Sequence, residues 1–236
     1  MAKRVALVTG ASKGLGRRIL EDLTTEGYFV YGIARPSIEA DYLRKRLREA
    51  DSGEIIDCDL SKTSSIRESL HAIDKDVDTV VHNIGGTFGI REPLFNANDF
   101  RLVLDLNFHA AVEINSIILP QMKARSFGRV IHISSLASVE NNGSVAYAAA
   151  KGLLNAYVRA LGSALHQSGI VLTAILPGVM NKAEDEIRQN AGQKMTSLKS
   201  ISDLVLFLAS DRAGVLSGSI IMADDGQGKV LPDWTT

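Results

Sequence analysis

The stretch "TGASKGLG" (residues 9–16) lies between a short apolar run and a longer periodic pattern. The residues just before it, "RVALVTG" (4–10), read as a buried strand. Residues 15–26 then repeat their apolar side chains at the spacing of an amphipathic helix. The pattern predicts a strand, a glycine-rich turn and a helix in immediate succession.

The same alternation continues along the chain. Further strands are predicted at 28–34, 54–60, 78–85, 128–135, 170–178 and 218–226. Further helices are predicted at 37–50, 63–74, 98–125 and 145–168. Apolar strands separated by helices form parallel sheets that are covered on both faces. The sequence therefore predicts one α/β domain over 1–236: a Rossmann-type doubly wound fold with a seven-stranded, mostly parallel sheet.

The three glycines of the turn fit a phosphate-binding loop. Gly10 permits a tight turn, Gly14 lets the backbone approach a pyrophosphate, and Gly16 permits close packing of the helix on the strand. The free N–H groups and the dipole at the start of the helix favour an anion. Their spacing, G-x-x-x-G-x-G, differs from the G-x-G-x-x-G of two-domain dehydrogenases. The context predicts nucleotide binding.

The residues at the end of the second strand bear on which dinucleotide is bound. An acidic residue there would accept a hydrogen bond from the 2′-hydroxyl of NAD, but the chain has Ala34 followed by Arg35. Lys13, in the glycine loop, is a second cation that could reach a 2′-phosphate. We expect NADP, with NAD as the less favoured cofactor; the alternative is that both cations are solvated surface charges.

Composition excludes several classes of function. Charged residues make up 22% of the chain and the formal net charge is −1, so nothing indicates a nucleic-acid or polybasic membrane surface. The single cysteine, Cys58, excludes an intramolecular disulfide. The N-terminus does not read as a signal peptide, and no uninterrupted apolar stretch has the length of a membrane span. We expect a cytoplasmic protein.

The stretch "SVAYAAAK" (144–151) places Tyr147 and Lys151 four residues apart, on one face of a helix. Alanine is the best helix former, so an ordinary exposed helix would explain the pattern as well. The alternative is catalytic, because an ammonium beside a tyrosine favours the phenolate and so assists proton transfer near neutral pH.

Taken together, the motifs resemble the single-domain short-chain dehydrogenase/reductase family over essentially the whole chain. They are "TGASKGLG" (9–16), "CDL" (58–60), "HNIGG" (82–86), "DLN" (105–107), "ISS" (133–135), "YAAAK" (147–151) and "LPG" (176–178). His82 and Ile84 depart from the family's Asn-Asn-Ala-Gly. A threonine that usually follows the Pro-Gly turn is also missing, and Asn181 and Lys182 stand there instead.

The resemblance implies a hydride transfer between NADP(H) and a carbonyl or secondary alcohol. Ser135 would bind the substrate oxygen, with Ser134 as its rival, and Tyr147 would donate or accept the proton. Lys151 would tune Tyr147 and bind the ribose hydroxyls, and Asn107 would hold a helix kink and a water. The cofactor would contact Gly10, Ser12, Lys13, Gly14, Leu15, Gly16, Arg35, Asp59, Leu60, Asn83, Gly85, Tyr147, Lys151, Pro177 and Gly178.

Two other functions stay open. A catalytically idle dinucleotide sensor or scaffold could share the fold, although a sensor has no need of a proton donor. An enoyl reductase usually has a different Ser/Tyr spacing. His82, His109 and His132 lie on unrelated elements, so we expect no metal site and read His82 as a local packing or hydrogen-bonding substitution.

Further expectations concern the surface. The polar segment 179–199 is either a substrate lid or a plain surface excursion, and its charges weakly favour a polar substrate. The long apolar helices 98–125 and 145–168 predict, by the same resemblance, a homodimer or homotetramer. The C-terminal tail, "ADDGQGKVLPDWTT" (223–236), is expected to reach a neighbouring subunit.

Overall fold

The computed structural model describes residues 3–140, 144–180, 195–224 and 226. Seven strands form one sheet in the order β3-β2-β1-β4-β5-β6-β7, and every neighbouring pair is parallel. The strands are β1 (Val5–Thr9), β2 (Phe29–Ala34), β3 (Gly53–Asp57), β4 (Thr79–His82), β5 (Gly128–Ile133), β6 (Ile170–Pro177) and β7 (Ser219–Ala223). The predicted doubly wound sheet is confirmed, and it is parallel throughout rather than mostly so.

Helices cover both faces of the sheet. They are α1 (Gly14–Thr25), α2 (Ile38–Glu49), α3 (Thr63–Leu70), α4 (Ala97–Leu104), α5 (Ala110–Ala124), α6 (Val145–Leu165) and α7 (Leu198–Ala209). Side chains alternate along β1, so Ala6 and Val8 join the core beneath α1, α2 and α7, whereas Val5 and Leu7 join the core beneath α3, α5 and α6. Each face of the sheet therefore has its own buried apolar layer.

The order of the strands reverses at β1, which pairs with β2 on one side and β4 on the other. In doubly wound sheets the crevice beyond the carboxyl ends at such a point is where ligands bind. The predicted strands 54–60 and 78–85 run past the observed ends at Asp57 and His82. The chain leaves the sheet there and turns into this crevice.

Helix α7 is an element that the sequence analysis missed. Its inner face carries Leu198, Ile201, Val205 and Leu208, all buried at helical spacing against the sheet. Ser197 caps its start by accepting a hydrogen bond from the backbone N–H of residue 200. The helical spacing of these apolar residues is present in the sequence, but the preceding polar segment obscured where the helix begins.

The predicted helix 98–125 consists of three parts. Between α4 and α5 the chain forms a π-helical turn, Asp105–His109, whose wider winding accommodates one extra residue. Among the described residues this run, 97–124, is the one helix long and apolar enough to cross a membrane by length and composition. Its inner residues Ile114, Ile118 and Met122 are packed in the core of the sheet, and core helices meet the same criterion.

Candidate active site

A cleft of about 720 Å³ opens at the switch point. It is lined by the segments that follow β1, β2, β3 and β4 and by two side chains of the α4–α5 run. Eight residues predicted to bind a cofactor line it: Gly10, Ser12, Lys13, Arg35, Asp59, Leu60, Asn83 and Gly85. The structure therefore brings these eight residues together in one cleft, and their contact with a cofactor stays a prediction.

The glycine loop has the shape that a pyrophosphate requires. Gly10 and Gly14 have φ of +67° and +56°, which favours glycine. A Cβ on Gly16 would lie 2.2 Å from the Gly10 carbonyl oxygen, so helix and loop could not approach as they do. The first turn of α1, all of it described, has neither a side-chain cap nor an acidic residue, which leaves its N–H groups to an anion.

Asn83 holds the loop in place. Its side-chain Nδ2 donates to the carbonyl oxygens of Thr9 and Gly10, at 3.1 and 3.4 Å. Its backbone N–H donates to Thr9 Oγ1 at 3.0 Å. Asn83 thus ties the end of β4 to the end of β1, and it shapes the cleft as well as lining it.

The outer end of the cleft carries charges of both signs. Lys13 and Arg35 are exposed on its wall, as predicted, and Ser37 and Glu39 lie beside them. Hydrogen bonds from its own backbone N–H and from Ser37 lower the pKa of Glu39, with smaller contributions from nearby cations. This end of the cleft therefore presents the two cations Lys13 and Arg35 and, with Asp59, two carboxylates.

Asp59 and Leu60 follow β3 at the same end. Ser61 donates to Asp59 Oδ1 from its backbone at 3.1 Å and from its hydroxyl at 2.7 Å. These hydrogen bonds, and to a lesser degree Lys62, lower the pKa of the Asp59 carboxyl. The carboxylate is held as an ionised acceptor beside the apolar Leu60 side chain.

Tyr147 and Lys151 lie in the first two turns of α6, which Ser144 caps. The Lys151 Nζ lies 5.7 Å from the centre of the Tyr147 ring and donates to the carbonyl oxygen of Ile133 at 2.8 Å. Lys151 is 2% exposed, the most buried charged side chain among the described residues. Such a group is costly to bury, and groups of this kind are found preferentially at functional sites.

Burial moves both groups toward their neutral forms. Desolvation lowers the pKa of Lys151 to about 7. Desolvation also raises the pKa of Tyr147, and a hydrogen bond with Ser135 opposes that rise. The sequence analysis expected Lys151 to lower the pKa of Tyr147, but Lys151 does not contribute to the shift in this structure.

Asn107 lies in the π-helical turn and reaches the loop after β4. Its Nδ2 donates to the carbonyl oxygens of Val103 and Gly86, at 2.8 and 2.9 Å, and its Oδ1 accepts from the Gly86 N–H at 3.0 Å. A Cβ on Gly85 would lie 2.6 Å from Asn107 Oδ1 and 2.9 Å from Lys151 Nζ. The side chains of Asn107 and Lys151 therefore both lie against Gly85.

The two rival serines have different surroundings. Ser134 is buried, and its hydroxyl donates to Asn155 Oδ1 at 2.7 Å. Asn155 Nδ2 in turn donates to the Ser138 hydroxyl at 2.8 Å. Ser135 is half-buried, accepts from the Ala137 N–H at 3.2 Å, and faces the Tyr147 phenol. This placement favours Ser135 as the residue that meets a substrate oxygen.

Some predicted residues lie elsewhere. Gly14, Leu15 and Gly16 form the start of α1 and do not line the cleft. Pro177 ends β6, and Gly178 packs against Thr196 and Asp224. Most of the predicted lid, including Asn181 and Lys182, and nearly all of the C-terminal tail lie outside the described residues.

The cleft also has members that the sequence analysis missed. They are Ile33, Ala34, Pro36, Ser37, Glu39, Cys58, Ser61, Ile84, Phe88, Leu102 and Leu106. Leu102 and Leu106 are four residues apart on the α4–α5 run, so they share one face, and they form an apolar wall with Ile84 and Phe88. No local pattern distinguishes such residues from ordinary core residues, because only the crossing of α4 over the strand ends exposes them.

Two histidines that the sequence analysis placed on unrelated elements are stacked in the core. His82 and His132 are partners in the β4–β5 register, with ring centres 4.5 Å apart. His82 Nε2 donates to Asn115 Oδ1 at 2.9 Å, since Asn115 Nδ2 donates to Tyr157 Oη. In the described part of the chain no group of three or more His, Cys, Asp or Glu side chains is arranged to hold a metal.

This chain is similar to known proteins over most of its length. The family model for short chain dehydrogenases matches residues 4–194. The 3-oxoacyl-acyl-carrier-protein reductase FabG of Haemophilus influenzae is 27% identical over 96% of this chain and 98% of its own length. Among solved structures, L-sorbose reductase from Gluconobacter frateurii, complexed with NADPH and L-sorbose, has a TM-score of 0.86 at 23% identity and covers 98% of each chain.

A second solved structure differs in its ligand. The 3-oxoacyl-acyl-carrier-protein reductase of Brucella melitensis, with bound NAD, has a TM-score of 0.85 at 22% identity and covers 97% of this chain and 92% of its own. At such identities the two structures show a shared fold. The family model, which spans most of the chain, shows more: this protein is an oxidoreductase of the short-chain dehydrogenase/reductase family.

Proposed function

We propose that the protein transfers hydride between NADP(H) and a carbonyl or secondary alcohol substrate, as a ketoreductase does. The observation that carries the proposal is the convergence of Tyr147, Lys151 and Ser135 where β5 ends and α6 begins, with Lys151 and Asn107 meeting beside Gly85 of the cleft lining. A dinucleotide supplies the hydride when it is bound. The glycine loop, the free start of α1 and the cleft fit its pyrophosphate and adenosine parts.

The chain's own residues would bind, orient and protonate the substrate. The Ser135 hydroxyl holds the substrate oxygen beside the phenol, and Tyr147 donates its proton to that oxygen during reduction. Burial keeps Tyr147 protonated at neutral pH, which suits a general acid. Lys151 would hold the ribose hydroxyls, and Asn107 fixes the backbone of Gly86 beside it.

Support for NADP over NAD comes from charge. Lys13 and Arg35 line the cleft, and Ala34 occupies the place where an acidic residue would favour NAD. The Glu39 carboxylate acts against a 2′-phosphate, whereas Lys13 and Arg35 favour one. The structural neighbours include one complexed with NADPH and one with bound NAD, so they leave both cofactors open.

A homodimer or homotetramer in the cytoplasm remains our proposal for the assembly. Leu102 and Leu153 are more than 40% exposed on the α4–α5 run and α6, where a second subunit could cover them. Light scattering at micromolar concentration tests this proposal, and a monomer would contradict it.

The rival function is a dinucleotide sensor that performs no chemistry. The feature that argues against it is the complete set of Ser135, Tyr147 and Lys151, because a sensor needs no proton donor. An enoyl reductase is disfavoured by the placement of Ser135 beside Tyr147.

The test is a panel of ketones, aldehydes and secondary alcohols assayed with both NADPH and NADH. The matched control is Tyr147→Phe, which keeps the ring and removes the hydroxyl. We expect turnover of at least one carbonyl substrate by the wild type, and a fall of roughly 10²–10⁴-fold in the variant. Tight cofactor binding without turnover on any substrate would support the sensor instead.

A further inference from the structure

Phe88 is a large apolar side chain that no motif assigns to the site. It lines the cleft and remains 40% exposed there. The tip of its ring folds back toward Gly86, where a Cβ would lie 3.9 Å from Phe88 Cζ. An exposed phenylalanine at the mouth of a cleft is a surface that a ligand can cover.

The backbone at Phe88 is held in an unfavourable conformation. Its φ is +52°, in the left-handed region that bulky residues avoid. The glycines on either side, Gly86 and Gly89, have φ of +155° and +87°, so they take the conformations that a side chain would resist. Strain of this kind persists where the surrounding structure enforces it, and it concentrates at ligand-binding positions.

The loop that carries Phe88 is fixed at both ends to catalytic elements. Asn107 binds the backbone N–H and carbonyl of Gly86 on one side. On the other side the Ser144 hydroxyl donates to the Ile90 carbonyl oxygen at 2.7 Å and accepts from the Tyr147 N–H at 3.4 Å. The position of the ring is therefore set by the same contacts that place Asn107 and Tyr147.

The lining of the cleft indicates which part of a ligand the ring faces. Phe88 lines the same cleft as Arg35, Asp59 and Leu60, the residues predicted to contact the adenosine. Of the residues that the structure describes, the lining includes none of the four predicted catalytic ones. Leu102 and Leu106 extend the apolar surface beside Phe88. A flat, apolar heterocycle fits this wall better than a phosphate or a ribose would.

We propose that Phe88 is a further cofactor-binding residue, whose ring packs on the adenine of the bound dinucleotide and closes the cleft over it. The assignment rests on the proposed dinucleotide-dependent function. Aromatic contact with a base strengthens binding by an amount that alanine substitution reveals. Because the ring is only partly covered, we expect a smaller loss of affinity than for a base stacked on a fully buried ring.

The experiment measures the binding of NADPH and of adenosine 2′,5′-bisphosphate to wild type, Phe88→Ala and Phe88→Leu. The matched control is Phe207→Ala, which removes a ring of similar exposure (37%) on α7. We expect Phe88→Ala to weaken both ligands by roughly 5- to 20-fold. Phe88→Leu should weaken them less, yet measurably, and Phe207→Ala should bind as the wild type does. Thermal unfolding shows that each variant is folded.

The outcomes separate the two proposals. If the wild type binds neither NADPH nor NADH, the proposed function fails, and the Phe88 assignment fails with it. If the wild type binds NADPH and Phe88→Ala matches it, only the Phe88 assignment is overturned. A loss for NADPH without a loss for the bisphosphate would place the ring on the nicotinamide half and overturn the adenine contact. Full affinity in Phe88→Leu would overturn the aromatic packing.

Discussion

Lys151 lies 5.7 Å from the centre of the Tyr147 ring, yet its hydrogen bond goes to the Ile133 carbonyl oxygen and not to the phenol. The lysine is therefore fixed by the end of β5, and its position does not depend on the protonation of Tyr147. Burial lowers the pKa of Lys151 to about 7, so near neutral pH the ammonium is easily lost. Burial therefore destabilises the Lys151 ammonium, the charge on which the proposed reaction depends.

Lys151→Met should stabilise the protein at neutral pH while removing activity. The free chain holds a lysine proton up to a pKa of about 10.5. Because burial lowers the folded pKa to about 7, the wild type gains stability as pH rises from 7 to 10.5. Converted at 1.36 kcal/mol per pKa unit, the cost of burying the ammonium at pH 7 reaches about 4 kcal/mol as an upper bound.

Urea unfolding at pH 7 and pH 10 measures this cost. We expect Lys151→Met to be more stable than the wild type at pH 7, and the difference to shrink at pH 10. NADPH binding should weaken as well, because the lysine would hold the ribose. A variant that is less stable than the wild type at pH 7 would show that the bond to Ile133 outweighs desolvation.

Ser135→Ala and Ser134→Ala should have different effects. Ser135 faces the phenol, so its loss should reduce kcat by roughly 10²-fold or more with little change in stability. Ser134 is bonded to the buried Asn155, so its loss should lower the free energy of unfolding by about 1–3 kcal/mol and leave more of the activity. Steady-state kinetics and urea unfolding on both variants separate these effects. If Ser134→Ala lost activity and Ser135→Ala lost stability instead, the two serines would have the opposite roles.

Arg35→Asp should weaken NADPH binding far more than NADH binding. The substitution replaces a cation on the wall of the cleft with a carboxylate, which repels a 2′-phosphate and accepts from a 2′-hydroxyl. Glu39→Gln should act in the opposite direction and strengthen NADPH binding several-fold, because it removes the carboxylate from the same wall. Lys45→Asp, on the exposed side of α2, is the matched control. Equal losses of both cofactors in Arg35→Asp would contradict the phosphate assignment.

The sequence predicted the seven strands and their parallel sheet, because these depend on local patterns, and the structure brings eight of the predicted cofactor-binding residues into one cleft. The glycine turn, the Tyr147–Lys151 pair and the apolar strands each have their own spacing. Helix α7 was missed although Leu198, Ile201 and Val205 are spaced for it, because a polar segment precedes it. The sequence analysis did not recognise where the polar segment ends and α7 begins.

Other features depend on which elements the sheet brings together. Leu102 and Leu106 reach the cleft only because α4 crosses the ends of the strands. His82 and His132 stack only because β4 and β5 pair in that register, 50 residues apart in the chain. Phe88 is distinguished by its backbone angle, which its neighbours in sequence do not specify. A short stretch of sequence cannot reveal these relationships, because they depend on how distant parts of the chain come together.

The stacked histidines should make the protein sensitive to mild acid. Both rings are buried, and in the described part of the chain His82 Nδ1 and both ring nitrogens of His132 have no hydrogen-bond partner. Desolvation lowers the pKa of His82 to about 4, although its bond to Asn115 opposes the shift, and the charge of Lys151 lowers it slightly further. Desolvation, the charge of His82 and that of Lys151 lower the pKa of His132 as well.

The sign of the effect follows from these pKa values. An unfolded histidine takes up its proton near pH 6.5, whereas folded His82 does so only near pH 4. Between those values the unfolded state binds more protons, so stability present above pH 6.5 is lost as pH falls toward 4. At 1.36 kcal/mol per unit, His82 alone contributes about 3 kcal/mol to that loss. His132 adds to it in the same direction.

The measurement is urea unfolding at pH 7 and pH 4.5 on the wild type and on the double variant His82→Asn/His132→Asn. Asparagine is polar but does not titrate, so the double variant should lose at least about 2.5 kcal/mol less stability than the wild type over that interval, the amount that His82 alone accounts for. His71→Asn removes an exposed histidine and should lose as much as the wild type does. The same loss in wild type and double variant would mean that the imidazoles are solvated in the folded protein, and that carboxylates alone set its acid stability.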